Sequence, residues 1–348
     1  MSDAFSLDRF DYKLPRERIA QHPLPERDAA RLLVLDRAGG ANRHSQVREL
    51  SRWLQAGDLL VGNASWVRPA RLRGRKASGG GAEALILGFL PDSPGHYRAL
   101  VRCGGRLREG QKFYFGAAAS GTIDAELVAL GEAGEVTLAF EPGADPYSIG
   151  EMPLPPYIRR ERPDPEDRER YQTVFACQPG SVAAPTAGLH LTGQLLGALR
   201  ARGISWAEVI LHVGPGTFRP LRPEDLDAGR LHAEYFEIPA ATAAAVARTR
   251  AAGGRIVAVG TTTTRVLETC AGEDGRVEPG QGETDLFVRP GHRFRVVDAL
   301  LTNFHLPRSS LLLLVAAFAG RDRILDAYAE AIEKAYRFYS YGDAMLIL

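Results

Sequence analysis

Cysteine is scarce in this chain. Its 348 residues include three cysteines, Cys103, Cys177 and Cys270, and they contain no Cys-x-x-Cys pair. A scattered set of odd number argues against a disulfide framework and against a zinc knuckle. It favours a reducing compartment, so we predict a cytoplasmic protein.

Long apolar runs are missing as well. The longest is LLLLVAAFAG (311–320), which is well short of the roughly 20 residues that a membrane-spanning helix needs. We interpret this run as a buried strand. The first residues, MSDAFSLDRFDY, show no basic segment followed by an apolar one, so no signal peptide and no membrane partner are predicted.

A net charge of one sign is also absent, because the chain carries only +1 overall. The charges are nevertheless unevenly distributed. Ten basic and three acidic residues leave the segment 64–115 at +7, and the other 33 basic and 39 acidic residues leave the rest at −6. A basic segment on a mildly acidic body is typical of proteins that bind a polyanion. An arginine-rich surface that is merely solvated is the alternative.

The order of predicted elements indicates an α/β protein with two parts. Strand and helix patterns alternate through most of the chain. Between residues 65 and 150, short runs such as EALILGFL and EVTLAFE recur at roughly ten-residue spacing, separated by Gly, Pro, Ser or Asp, which is typical of an antiparallel sheet or small barrel. We predict an α/β body (1–64 and 151–348), built on a mixed sheet or distorted barrel with helices, and an inserted basic β-barrel domain (65–150).

Three segments of the C-terminal half follow predicted strands or begin predicted helices, where α/β proteins bind ligands. APTAGLH (184–190) places small residues before a histidine, and LHAEYFEIP (231–239) puts a histidine and a glutamate on one face of an extended segment. LHVGPGTF (211–218) contains a Gly-x-Gly turn, but Pro220 and Pro223 oppose the helix that a dinucleotide-binding turn must open. The turn still offers backbone amides to an anion or a sugar.

Two more segments carry polar groups at strand or helix ends. VAVGTTTTRVLE (257–268) places four threonines in the first turn of a helix, followed by Arg265. Free amides, hydroxyls and a guanidinium there suit a carboxylate, a phosphate or ribose hydroxyls, whereas ordinary N-capping needs only one threonine. LLTNFHLPRSSLLLL (300–314) places Asn303 and His305 between two predicted apolar strands.

Four of the eight histidines, His190, His212, His232 and His305, lie in these five segments. Several histidines near small-residue turns favour a site with acid–base chemistry. A metal site is the rival interpretation. It lacks a His-x-x-x-His pair and a nearby cysteine, so no metal is predicted.

Long motifs of the chain resemble the S-adenosylmethionine:tRNA ribosyltransferase-isomerase family of queuosine biosynthesis. The resemblance runs nearly from end to end and is weak only between about residues 77 and 150. The motifs that carry it include GDLLVGN, PARLRGRK, MPLPPYI, GSVAAPTAGLH, LHVGPGTF, HAEYFEIP, AVGTTTTRVLE and YRFYSYGDAMLI.

The resemblance implies an α/β body with an inserted small β-barrel, and it implies a reaction. The ribosyl part of S-adenosylmethionine is transferred to 7-aminomethyl-7-deazaguanine at the wobble position of tRNA, giving epoxyqueuosine and releasing adenine and methionine. S-adenosylmethionine is then a consumed substrate, and no separate cofactor is expected. A monomer is expected because no long exposed apolar stripe is visible. The alternatives are an S-adenosylmethionine-dependent tRNA methyltransferase, a metal-dependent hydrolase and a non-catalytic tRNA-binding protein.

Such a reaction needs proton transfer at the carbon beside the sulfonium, at the leaving adenine and at the attacking nitrogen. The candidate catalytic residues are His190, His212, His232, Glu234 and His305. The candidate substrate-binding residues are Thr186, Gly188, Gly214, Gly216, Thr217, Thr261, Thr262, Thr263, Thr264, Arg265, Asn303 and Tyr341. The candidate tRNA-binding residues are Arg68, Arg71, Arg73, Arg75 and Lys76.

One motif departs from the family. Where the family usually reads Asn-Asn-Thr-Arg, this chain has Asn63, Ala64, Ser65 and Trp66. The contacts that this stretch makes are therefore open to change, and Trp66 either stacks on a base or packs in the core.

Overall fold

We describe a computed structural model of the chain, which covers residues 6–117, 121–160, 163–218, 221 and 223–348. Two large sheets, one open and one closed into a barrel, hold most of its strands. In chain order the strands of these residues are β1 (Arg31–Leu35), β2 (Arg43–Gln46), β3 (Leu59–Asn63), β4 (Ser65–Val67), β5 (Arg71–Lys76), β6 (Gly81–Phe89), β7 (His96–Cys103), β8 (Lys112–Ala117), β9 (Gly121–Leu130), β10 (Glu135–Phe140), β11 (Gln178–Ser181), β12 (Ser205–Leu211), β13 (Arg230–Ile238), β14 (Ile256–Val259), β15 (Gly280–Leu286), β16 (Ala299–Asn303) and β17 (Ala344–Ile347).

Helices lie between the strands of the C-terminal half, and short 3-10 helices occur throughout. The α-helices of the described residues are α1 (Asp167–Arg170), α2 (Gly193–Ala201), α3 (Pro223–Ala228), α4 (Ala240–Ala251), α5 (Thr261–Thr269), α6 (Ser310–Ala319) and α7 (Arg321–Glu333). The 3-10 helices are Leu7–Phe10, Arg16–Arg18, Arg27–Ala29, Val47–Arg52, Glu132–Gly134, Pro146–Ser148, Thr186–His190 and Pro215–Phe218.

The open sheet has nine strands in the order β15-β13-β12-β3-β14-β16-β17-β1-β2. Its centre, β12, β3, β14 and β16, is parallel, and β13, β15 and β2 pair antiparallel toward the two edges. The carboxyl ends of the four parallel strands therefore meet at one edge of the sheet. This mixed sheet with its helices confirms the predicted α/β class.

Both faces of the central strands are covered by helices, which explains their continuous apolar sequences. Val257 and Val259 of β14 pack in one core with Leu195 and Leu199 of α2. The alternate residues of β14 face a second core, which contains residues of α4, α5, α6 and α7. Successive side chains of a strand point to opposite faces, so a strand between two helical layers must be apolar at every position.

The barrel is closed by six antiparallel strands in the order β10-β7-β6-β5-β8-β9. Its interior holds Leu72, Ile86, Phe113, Phe115 and Leu138, all of them fully buried. A closed sheet has no unpaired edge. The predicted small antiparallel barrel is therefore confirmed, while the boundaries of the domains (1–64, 65–150 and 151–348) stay a prediction.

The two ends of the barrel segment are held to the rest of the chain by short pairings. β4 precedes the barrel and pairs in parallel with β11. At the other end, Arg71 and Glu151 form an antiparallel bridge, with N···O distances of 3.1 and 2.8 Å. The chain thus enters and leaves the barrel at neighbouring positions.

The prediction of a strand at 311–320 is wrong, because this run forms the helix α6. The Oγ of Ser309 accepts the N–H of Leu312 at 3.2 Å and caps the helix. Leu and Ala are strong helix formers, and a run that is apolar on all sides has no period that separates a strand from a buried helix. None of the helices in the described ranges has the length and apolarity that crossing a bilayer requires.

An aromatic cluster lies under the loop that joins β16 to α6. Phe304 is fully buried, and its ring centroid lies 4.8 Å from Phe338 and 5.2 Å from Tyr328. The next residue, His305, donates its backbone N–H to the Tyr328 hydroxyl at 3.0 Å, and its Nε2 lies 2.9 Å from the Thr302 Oγ1. Burial lowers the pKa of His305 from its ordinary 6.5 to about 3.

Replacing Phe304 by alanine should strongly destabilise the fold, because it removes a buried ring and leaves a cavity. The expected loss is about 3–5 kcal/mol in the free energy of unfolding. Urea unfolding followed by circular dichroism measures it. The matched control is Phe89→Ala at a barrel residue that is 58% exposed, for which a change within about 0.5 kcal/mol is expected. Equal effects of the two variants would contradict the packing described here.

His305 should make stability depend on pH. Below about pH 6.5 the unfolded chain binds a proton on this imidazole, whereas the folded chain does not until about pH 3. The free energy of unfolding therefore falls as pH is lowered across that window, with a contribution of up to about 1.4 kcal/mol per pH unit. His305→Gln should have a shallower slope than the wild type between pH 6 and 4.5 in urea titrations. His22→Gln, at an exposed position, should keep the wild-type slope. An unchanged slope in His305→Gln would refute the assignment.

Candidate active site

A cavity of about 610 Å³ lies between the barrel and the open sheet. Its volume is within the range of sites that bind small molecules. The barrel contributes Leu87, Arg98, Leu100, Ala133 and Glu135 to its wall. Six of the residues predicted from the sequence line the opposite wall, and they are His212, Gly214, Gly216, His232, Glu234 and Arg265.

A buried ion pair between Glu234 and Arg265 lies in this wall of the cavity. The Glu234 and Arg265 side chains are each 6% exposed, and Arg265 Nη1 donates to Glu234 Oε2. The other carboxylate oxygen accepts the N–H of Gly214 at 2.7 Å, and Arg265 Nε donates to the Leu286 carbonyl at 3.0 Å. Buried charges need such partners. Arg265 therefore holds Glu234 in place at the cavity, with the turn at Gly214 attached to the same carboxylate.

His232 lies two residues before Glu234 in β13, and both line the cavity. The glycine turn at Gly216 leaves space for the His232 ring. A Cβ at Gly216 would lie 2.8 Å from His232 Cδ2, which is closer than side chains pack. Gly216 thus serves a close approach rather than a dinucleotide fold, and the turn leads into the 3-10 helix Pro215–Phe218.

His212 is held by a row of hydroxyl groups. Its Nδ1 lies 2.8 Å from the Ser65 Oγ, which lies 2.6 Å from the Ser181 Oγ. Ser181 Oγ in turn accepts the N–H of Val213 at 2.9 Å. The imidazole stacks on Tyr235 with centroids 5.4 Å apart. Burial, and then the nearby Arg68 charge, lower the pKa of His212, which favours the neutral ring.

The stretch that departs from the family motif begins with an asparagine that joins two strands of the open sheet. The Asn63 side chain accepts the N–H groups of Ser65 and Leu211, both at 3.0 Å, and donates to the Leu211 carbonyl at 2.9 Å. It therefore joins the carboxyl ends of β3 and β12. Trp66 lies in β4, half-buried and opposite Pro179 of β11, and it does not appear among the described residues that line the cavity.

A second cluster forms at the carboxyl end of β16, apart from the cavity. Thr186 Oγ1 donates to Asn303 Oδ1 at 3.0 Å, and Asn303 Nδ2 donates to His190 Nε2 at 3.0 Å. Burial, with smaller effects of Arg337 and Arg27, lowers the pKa of His190 to about 4. Neither the three residues of this cluster nor His305 line the cavity among the described residues.

The threonines of α5 are buried, and two of them donate hydrogen bonds to backbone carbonyls. Thr263 Oγ1 donates to the Val259 carbonyl at 2.9 Å and Thr264 Oγ1 donates to the Gly260 carbonyl at 3.1 Å, a pattern known for hydroxyls inside helices. Thr262 Oγ1 lies 3.5 Å from Asn63 Nδ2, and Thr261 is buried beside it. The assignment of these hydroxyls to substrate stays a prediction.

The remaining predicted substrate residues lie in three places. A Cβ at Gly188 would lie 2.8 Å from Phe175 and Thr173, so this glycine permits close packing. The Tyr341 hydroxyl donates to Asp167 Oδ1 at 2.9 Å. Thr217 belongs to a segment whose side chains are outside the described part of the structure.

The predicted tRNA-binding residues of the barrel segment already have protein partners. Arg71 pairs with Glu83 at 3.0 Å, and Arg73 pairs with Glu151 at 3.1 Å. The other three contact an aromatic ring or a carbonyl: Arg68 lies over the Tyr147 ring, Arg75 lies over the Tyr114 ring, and Lys76 Nζ donates to the Gly104 carbonyl. A phosphate would therefore compete with carboxylates for two of the five.

Two pairs of residues at this site were not predicted from the sequence. Ser65 and Ser181 hold His212, and only their position directly after or within short strands marks them. Arg98 and Glu135 of the barrel wall lie 3.9 Å apart, and no local pattern indicates that they face a site in the body. Over the described residues, no three His, Cys, Asp or Glu side chains are grouped so that they could hold a metal ion.

Comparisons with known proteins agree with this geometry. The family model described as queuosine biosynthesis protein matches residues 7–347. Two relatives carry the name S-adenosylmethionine:tRNA ribosyltransferase-isomerase. The one from Moorella thermoacetica is 49% identical and the one from Anaeromyxobacter dehalogenans is 52% identical, and each alignment covers 98% of this chain and 99% of the relative.

A solved structure shows the same fold. The crystal structure of an S-adenosylmethionine tRNA ribosyltransferase from Thermotoga maritima aligns with a TM-score of 0.55 and 40% identity, covering 98% of this chain and 100% of that chain. The chain therefore belongs to the queuosine biosynthesis protein family of S-adenosylmethionine:tRNA ribosyltransferase-isomerases.

Proposed function

We propose that this protein transfers and isomerises the ribosyl group of S-adenosylmethionine onto 7-aminomethyl-7-deazaguanine at the wobble position of tRNA. The products are epoxyqueuosine-tRNA, adenine and methionine. The observation that carries the proposal is the cavity in which His212, His232 and Glu234 come together, within a chain that matches the family over nearly its whole length. S-adenosylmethionine is consumed as a substrate, and no further cofactor is needed.

His232 and Glu234 suit two different roles at the sulfonium end of the substrate. Glu234 brings the carboxylate of a buried, overall neutral ion pair to the cavity wall, where its oxygens can stabilise a sulfonium in close contact. The His232 imidazole lines the same wall and makes no hydrogen bond to another described residue. We assign His232 to proton transfer, because its ring is free to meet the substrate, and Glu234 to electrostatic stabilisation and orientation.

His212 suits a third role, that of a hydrogen-bond donor to the substrate. Since Val213 donates to Ser181, the Ser181 hydroxyl hydrogen is available for Ser65, and the Ser65 hydrogen is then available for Nδ1 of His212. This order satisfies each hydroxyl, and it leaves the proton of the neutral ring on Nε2. We assign Nε2–H of His212 to the leaving adenine or a ribose oxygen, with Ser65 and Ser181 as positioning residues.

The body and the barrel would share the tRNA. We propose that the basic barrel segment contacts it through Arg68, Arg71, Arg73, Arg75 and Lys76, in competition with the carboxylates that now pair with two of them. We also propose a cytoplasmic monomer. The cavity wall from the barrel would then face the modified base from one side, while the body holds S-adenosylmethionine from the other.

The first test is a product assay. The protein is mixed with S-adenosylmethionine and tRNA that carries the aminomethyl-deazaguanine, and small molecules are measured by liquid chromatography with mass spectrometry. We expect adenine and methionine in equal amounts, and none with unmodified tRNA. S-adenosylhomocysteine would instead indicate methyl transfer, and the absence of turnover with retained tRNA binding would indicate a binding protein. Either result would contradict the proposed function.

The second test concerns His212. Ser65→Ala removes the hydroxyl that bonds Nδ1, so the ring should lose its fixed tautomer, and kcat should fall about 10- to 100-fold, the usual effect of losing a positioning partner. Nitrogen-15 NMR of the imidazole should show the Nε2–H form in the wild type and a mixture in the variant. Ser148→Ala, at an exposed serine of the barrel segment, is the control. A variant with the wild-type spectrum and kcat would disprove the role of Ser65.

A further inference from the structure

A small pocket on the body, beside the buried His190, is lined by three arginines. Arg27 lies in a 3-10 helix before β1, Arg170 ends α1, and Arg337 follows α7. The pocket has a volume of about 20 Å³ and is partly open to the surface. No Asp or Glu occurs among the described residues of its lining. Three distant segments thus bring three positive charges to one opening.

Backbone carbonyls hold these guanidinium groups, and carboxylates do not. Among the described residues, none of the three groups forms an ion pair within 4.0 Å. A carbonyl fixes the direction of a guanidinium but does not neutralise its charge. Arg27 donates to the backbone carbonyls of Gln172 at 2.7 Å and Glu169 at 2.8 Å. Arg170 donates to the carbonyls of Pro25 at 2.9 Å and of Leu24, and Arg337 donates to the carbonyl of Tyr341.

The arrangement costs free energy in the absence of an anion. The Nε atoms of Arg170 and Arg337 are buried and have no hydrogen-bond partner among the described residues. Burial, and then the charge of Arg170, lower the pKa of Arg27. The carboxylate of Asp343 lies near Arg337, but its two oxygens accept the backbone N–H groups of Arg31 and Arg337. Unpaired donors and close like charges are what an anion-binding site offers before its ligand arrives.

We propose that this arginine pocket binds one phosphate group of the tRNA backbone, an inference that rests on the proposed function. About 20 Å³ holds one or two atoms of the size of a water molecule. A nucleoside or a methionine group is too large, whereas the free oxygens of a phosphodiester can enter from the surface. The planar guanidinium matches phosphate geometry. A neighbouring depression of about 440 Å³ shares Arg170 with the pocket, but Asp164, Glu166 and Asp167 also line it, so it does not favour a further phosphate.

The arginines of the pocket and those of the basic barrel segment differ in whether a carboxylate already pairs with them. Two of the barrel arginines, Arg71 and Arg73, must leave a carboxylate before they can contact phosphate. The arginines of the pocket have no such partner to leave among the described residues. The tRNA would therefore be held by the body as well as by the barrel, with the phosphate of the pocket fixing its position near the carboxyl end of β16.

The test measures tRNA binding as a function of salt. Fluorescence anisotropy with an unmodified tRNA transcript gives the affinity between 50 and 200 mM salt for the wild type and for Arg170→Gln and Arg337→Gln. Each variant should bind several-fold more weakly at low salt, and the slope of log affinity against log salt should decrease by about 1 in magnitude. Arg48→Gln removes the same charge from an arginine paired with Glu26 at 2.8 Å, and it should keep the wild-type slope.

A second measurement guards against variants that fold poorly. The Tm of the wild type is compared in phosphate and in chloride at equal ionic strength, and phosphate should raise it. Phosphate also raises Tm without binding, because it is excluded from protein surfaces. Arg337→Gln should therefore show a smaller rise than the wild type and than Arg48→Gln. Wild-type slopes in both folded pocket variants would overturn the proposal. A phosphate effect together with unchanged slopes would make the pocket a site for free oxyanions and would overturn the assignment to tRNA. Because binding needs no turnover, a failure of ribosyl transfer leaves this readout intact.

Discussion

The wall of the cavity depends on the ion pair between Glu234 and Arg265. The carboxylate belongs to an outer antiparallel strand, the guanidinium to the helix that follows a central parallel strand, and the glycine turn after β12 is bonded to the same carboxylate. Both side chains are nearly buried, so neither can be left unpaired without a large desolvation cost. The shape of the cavity follows from this constraint, because the pair fixes the wall on which His232 also lies.

Polar side chains at the carboxyl edge of the sheet make different contacts from one strand end to the next. Near the cavity, hydroxyl groups hold His212 with one ring nitrogen directed away from the protein partners. Farther along, Asn63 is fully occupied in joining two strand ends, and Asn303 bonds His190 in a dry environment. A histidine thus lines the cavity at one strand end, whereas another histidine is buried against an asparagine at a second strand end.

Much of the fold could be predicted from the sequence, because the alternation of strand and helix and the change of texture near residue 65 are local properties. The helix α6 could not, since a run buried on all sides has no polar face to reveal its period. Of the candidate site, the segments with His212, His232 and Glu234 converge as expected. His190 and His305 do not join them, because neighbouring strand ends are separated along the sheet edge and sequence gives no measure of that spread. Arg98 and Glu135 reach the cavity only through the packing of the barrel, which no local pattern encodes.

The neighbouring entry and exit of the barrel have a consequence for how the chain folds. Roughly 80 residues separate the bridged pair Arg71 and Glu151. As an open loop, these residues would add a closure entropy that grows with the logarithm of the loop length, about 2.5 kcal/mol more than a connection of five residues. Once the barrel has closed, its ends already lie side by side, and the body meets only a short link. Once the barrel has formed, the insertion therefore adds little to the topological difficulty of assembling the sheet around it.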